Sequence, residues 1–115
     1  MDYTDFPGAP APGTPLCALD TLPDGGTKCF EIGGFPVVAL RRGADAWAFV
    51  NACPHQFLPL NTRSDALLTQ DGTALMCSNH NASFDAQTGQ GAGICAGQAL
   101  AAIPVTLADG QLTVA

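Results

Sequence analysis

The chain turns on Cys53-Pro54-His55 and, beyond the twenty-one residues 56–76, on Cys77-Ser78-Asn79-His80. These two stretches hold both histidines of the 115-residue sequence. Each sets one thiol and one imidazole on a short loop, and two such loops facing each other make a pocket of two sulfurs and two nitrogens. The loops rise from strand-like flanks, ending at Asn51 before the first and at Met76 before the second. A rigid β base presets ligand geometry, so a metal centre held there changes charge with little movement.

Two chemistries accept that donor set: tetrahedral zinc, and a 2Fe-2S cluster in which two histidines replace two cysteines on one iron. Zinc modules of this composition pair like with like, Cys with Cys and His with His. Here each loop carries one of each, so each can give its sulfur to one iron and its nitrogen to the other. The cluster is therefore the leading reading, with zinc or an empty site as the alternative.

Outward from the loops, the sequence reads as short strands parted by turn signals. Leu16–Leu19, Thr27–Ile32, Phe35–Arg41 and Ala46–Val50 are apolar or alternating runs, divided by Pro23-Asp24-Gly25-Gly26, Gly33-Gly34 and Arg42-Gly43. Near the end, Ile103, Val105 and Leu107, then Leu112 and Val114, alternate across Asp109-Gly110, a strong hairpin signal. A second such pair, Asp71-Gly72, lies between Leu67-Leu68 and Leu75-Met76. The uncharged stretch between Asp85 and Asp109 is rich in Gly, Gln and Thr and contains Pro104, so it reads as a loop followed by a strand and not as a membrane span. No stretch has a helical period. The expected fold is all-β: an antiparallel sandwich built from both ends of the chain, with the metal-binding part at about residues 51–97.

Length limits the chain to one domain. Met1 to Pro15, with four prolines and two glycines, is expected to be a flexible or draped tail, leaving 16–115 as the folded unit. It lacks the basic start and apolar centre of a secretory signal, and Arg41-Arg42 lies mid-chain, which points to a cytoplasmic location. A reducing compartment keeps the spare cysteines as thiols. Cys17 and Cys29 are expected as small core residues, Cys95 as a non-ligand, and Trp47 and Phe49 as core. Ten acidic residues against four basic ones give a formal charge of −6, which argues against nucleic acid and favours steering toward a basic partner surface.

Taken together, Cys53-Pro54-His55-Gln56 through Leu58-Pro59-Leu60, then Cys77-Ser78-Asn79-His80 with Phe84, Gly89 and the Gly93-x-Cys95-x-Gly97 stretch, resemble a Rieske ferredoxin of the low-potential, oxygenase-associated kind. The resemblance runs from roughly Leu16 to the C-terminus. It implies a Rieske-like sandwich with a cluster-binding subdomain and a 2Fe-2S cofactor. By the same resemblance Cys53 and Cys77 bind the buried iron, and His55 and His80 the iron nearer the surface. High-potential relatives carry a disulfide-forming cysteine in each loop; the matching positions here are Leu58 and Asn79. They also carry a Ser and a Tyr whose hydroxyls donate to sulfur, where this chain has Ala82 and Phe84. Without those donors the reduced, more negative state is less stabilised, so the potential should lie near the low end of the Rieske range, about −150 mV. A Gly is common in such proteins where Phe57 and Asn81 stand, and a Pro where Ile94 stands; Phe57 and Ile94 enlarge the apolar rim near the histidines.

The resemblance implies a one-electron carrier, expected to be a monomer, that takes electrons from a reductase and gives them to a terminal oxygenase. An enzyme is disfavoured because both histidines are already used, leaving none for a second, non-haem iron site, and because no dinucleotide-binding glycine motif is present. The alternatives are a small subunit of a larger oxidoreductase such as a nitrite reductase, or a zinc-bound structural module.

Overall fold

The run from Phe35 to Leu40 is apolar at every position, and it becomes a strand covered on both faces. The computed structural model describes residues 3–53, 59–61, 67–68, 73–77, 83–92 and 97–115. Its strands, in order, are β1 (Pro15–Ala18), β2 (Thr27–Ile32), β3 (Phe35–Arg42), β4 (Asp45–Val50), β5 (Ala74–Met76), β6 (Ser83–Asp85), β7 (Gly91–Ala92), β8 (Ala102–Ile103), β9 (Val105–Ala108) and β10 (Gln111–Val114). Among the described residues the only helical pieces are two 3₁₀ turns, Tyr3–Asp5 and Leu19–Thr21. The all-β expectation holds.

Three antiparallel sheets form: β2-β3-β4-β8 in the middle, β1-β10-β9, and β5-β6-β7. Side chains alternate across a strand, so β3 divides its residues between two cores. Phe35, Val37 and Ala39 join Ala48, Val50, Ile103, Leu112 and Val114 on one face, against the sheet made from both ends of the chain. Val38 and Leu40 join Phe49, Leu75, Phe84 and both Cys53 and Cys77 on the other. The first core holds the sandwich together. The second is shared with the sheet that carries the second metal loop.

The hairpin signals act where they were read. Asp109 and Gly110 both have positive φ, 52° and 76°, as a two-residue turn joining right-twisted strands requires, and Ala108 pairs with Gln111 across them. Gly33-Gly34 joins β2 to β3 in register Ile32 to Phe35. Asp71-Gly72 lies outside the described residues. Between Asp85 and Asp109, where a loop and one strand were expected, β7 and β8 add two two-residue strands before β9. Gly91-Ala92 carries too little pattern to announce a strand, and a sheet neighbour supplies it instead. Ile103, read in one run with Val105 and Leu107, is parted from them at Pro104 and pairs with Ala48 of β4.

At the N-terminus, where a tail was expected, aromatic side chains reach the core. Tyr3 is buried, and the Phe6 ring meets Phe35 edge to face with centroids 6.5 Å apart. Tyr3 and Phe6 thus anchor this segment to the sandwich core, as a draped tail would be anchored.

Candidate metal centre

The first loop leaves the end of β4 under tight control. Val50 donates its N–H to Ala101 O at 2.9 Å, and Asn51 donates its own to Pro36 O at 3.1 Å, tying the exit to the start of β3. Two residues on, Cys53 is fully buried. The chain returns at Pro59, Leu60 and Asn61, and Leu60 is again fully buried. The Asn51 side chain bridges the two feet: its Oδ1 accepts the Leu60 N–H at 2.8 Å, and its Nδ2 donates to Asn61 Oδ1 at 3.0 Å.

The second loop leaves from the end of β5 and returns at the start of β6. Met76 pairs with Ser83 across residues 77–82, and Met76 N–H also donates to Leu67 O at 2.7 Å. Cys77, the first residue beyond β5, is 1 % exposed, and Phe84 in β6 is fully buried. Two further segments, 89–92 and 97–100, pair with each other: Gly91 N–H donates to Gln98 O, and Leu100 N–H to Gly89 O, at 2.8 and 2.9 Å. Gly89 has a φ of +77°, and a Cβ there would lie 2.9 Å from both Leu100 O and Phe49 Cε1. Only glycine lets these two segments approach so closely.

Cys53 and Cys77, distant in sequence, therefore enter one apolar core with Leu60, Leu67, Leu75, Phe84 and Leu100. Neither is in a disulfide. Two thiols in a water-poor cluster are a poor place for bare thiolate charge and a good one for thiolates neutralised by iron. The donor set thus fits a soft metal centre from the sulfur side. His55 and His80, with Cys95, Leu58, Asn79, Ala82, Phe57, Asn81 and Ile94, lie outside the described residues. Phe84 is described, and it brings a hydroxyl-free ring into the core that holds both cysteines.

The spare cysteines are less buried than small core residues would be. Cys29 packs at the edge of the core that contains Cys53, and Cys17 at the edge of the other. Burial raises the Cys17 thiol pKa, opposed by the Thr21 hydrogen bond and the charge of Lys28. Phe49 is a core residue, while Trp47 is half-buried against it. Sequence reading missed Asn51 and Gly89 as devices. The available signals were an amide two positions before the first cysteine and a glycine after an Asp-x-x-x turn.

Fold and site together define a small antiparallel β protein with two thiol donors sunk between sheets, at the mouths of two loops whose sequences also carry histidine. The chain belongs to the Rieske [2Fe-2S] domain family, whose model matches residues 13–104, and its cofactor is a 2Fe-2S cluster. It is 30 % identical over 102 residues to the ferredoxin component of the alkene monooxygenase system of Xanthobacter autotrophicus (strain ATCC BAA-1158 / Py2), covering 86 % of this chain and 77 % of that one. Its structure is similar to the ferredoxin of carbazole 1,9a-dioxygenase from Nocardioides aromaticivorans IC177, with a TM-score of 0.73, 25 % identity and coverage of 89 % and 97 % of the two chains. The same fold recurs, at 18 % identity and a TM-score of 0.71, in a protein described as the small subunit of an NADPH nitrite reductase, over 91 % of this chain and 99 % of that one. Among the described residues no helix is long and apolar enough to cross a membrane.

Proposed function

We propose that this protein is a soluble cytoplasmic one-electron carrier, taking electrons from a reductase and passing them to a terminal oxygenase. The observation that carries the reading is the meeting of Cys53 and Cys77, both buried and disulfide-free, in one apolar core at the mouths of the two loops. Cys53 and Cys77 would hold the buried iron, and His55 and His80 the iron nearer the surface. The cluster when bound supplies a one-electron couple whose outer iron is favoured as the site of reduction, because neutral imidazole stabilises the ferrous state better than thiolate does.

The chain's own residues do the rest. The core around the cysteines excludes water, so neighbouring dipoles act at full strength on the site. The hydroxyl-free Phe84 withholds a hydrogen bond from sulfur, which favours a potential near the low end of the Rieske range, about −150 mV. The sheets under both loops hold the donors in one geometry through the charge change. The relative in the alkene monooxygenase system supports an oxygenase as the acceptor. The formal charge of −6 suits a basic docking surface, so transfer to the acceptor should slow as salt rises.

The test is to purify the protein from cells that express its natural partners. A carrier runs alone through gel filtration, and its reduced form is reoxidised by the separate oxygenase at a rate that grows with oxygenase concentration. Stoichiometric co-migration with a large catalytic subunit would replace this reading with that of an enzyme subunit, and a colourless zinc protein would remove it.

A further inference from the structure

Among the described residues Asn51 is the one polar side chain in the buried class, 6 % exposed. A buried amide is retained at a cost unless its hydrogen bonds are made, and here they are made to a single purpose. Its backbone N–H is held by Pro36 O, its Oδ1 by the Leu60 N–H, and its Nδ2 by Asn61 Oδ1. The amide's orientation follows from these partners, because a backbone N–H at 2.8 Å demands the oxygen and leaves the nitrogen for Asn61. The residues between these contacts, 52–59, include Cys53 and His55.

We infer that Asn51 is a positioning residue for the metal centre: its side chain clamps the two feet of the first ligand loop together just beyond β4, its backbone N–H ties them to the start of β3, and the pair of restraints fixes where Cys53 stands. The inference rests on the proposal that Cys53 and His55 are ligands. Removing the amide, two residues from Cys53, frees one foot from the other and takes the Asn51 acceptor from the buried Leu60 N–H. Cys53 is then less firmly placed, and the bound centre would lose its single environment.

The test compares the full-length, anaerobically purified, cluster-loaded protein with Asn51→Ala, Asn61→Ala and, as a control in the opposite core, Leu112→Ala. Iron release to a chelator and the width of the electron paramagnetic resonance lines are measured at temperatures where all variants are equally folded. Asn51→Ala should release iron about tenfold faster, the factor corresponding to about 1.4 kcal/mol, with broadened lines. Asn61→Ala, which removes one of the two side-chain bonds at a half-buried position, should fall between it and wild type, and it carries the test alone where Asn51→Ala fails to fold. Leu112→Ala should match wild type. Release and line widths at wild-type values in both asparagine variants, or an equal acceleration in Leu112→Ala, would overturn the clamp while leaving the ligand assignment standing. A wild-type chain that binds no iron would instead overturn the assignment itself, and the clamp with it.

Discussion

At Gly89 the backbone is held at a φ of +77° with a carbonyl oxygen and an aromatic carbon each 2.9 Å from where a Cβ would sit. Gly89→Ala therefore combines a left-handed backbone with a clash, and should cost about 2 kcal/mol or more, read from a urea unfolding curve. Asp85 offers a gentler test. Its carboxylate accepts the Thr88 and Gln87 amides, which hold its pKa below the usual carboxylate value. A folded pKa below the unfolded one contributes stability that is present above the unfolded value and is lost as pH falls through the folded value. The stability gap between wild type and Asp85→Asn should therefore narrow as pH drops from about 5 through the carboxylate range, with the effect small because the group is exposed. Residues of this kind show how far sequence reading reaches. Cys53 and Cys77 were legible as a pair because donor type and spacing are local facts, and the structure brings the two into one core. Asn51 and Gly89 were not, because what each does depends on partners nine to forty residues away, at Leu60 and Phe49.

Elements were legible where one face or one turn dictated them. β2 runs over the residues expected, and β3 and β4 differ from expectation by one residue each, since alternation and two-residue turns fix their register. β7 was not visible, because a strand of Gly91 and Ala92 exists only through the neighbour that pairs with it, and the run through Ile103 was read as one strand where the structure divides it at Pro104 into β8 and β9. The β9–β10 turn invites a direct test. Asp109 sits at a φ of 52°, which a short polar side chain tolerates and a β-branched one does not. Asp109→Val should destabilise the protein by about 1 kcal/mol, while Asp109→Asn should be close to neutral in the same denaturation experiment.

For the whole molecule, the central sheet separates two tasks. One face builds a sandwich from both chain ends, and the other presents two buried sulfurs to the loops. That division was read from the sequence only in outline, because it depends on β3 sending alternate residues to opposite cores, whereas the sequence there shows one unbroken apolar run. The electronic consequence is set by the loops. His80→Cys should retain some iron and move the potential down, toward the all-cysteine range near −400 mV, because a thiolate adds negative charge where an imidazole was neutral. An unchanged potential would remove His80 from the ligand set.

The most direct measurement is an electron paramagnetic resonance redox titration of protein purified without oxygen. A nitrogen-ligated 2Fe-2S signal with a midpoint near the low end of the Rieske range, about −150 mV, is the predicted result. A midpoint well above zero would contradict the argument from Phe84, Ala82 and the missing loop cysteines, and a silent sample containing zinc would contradict the electron carrier altogether.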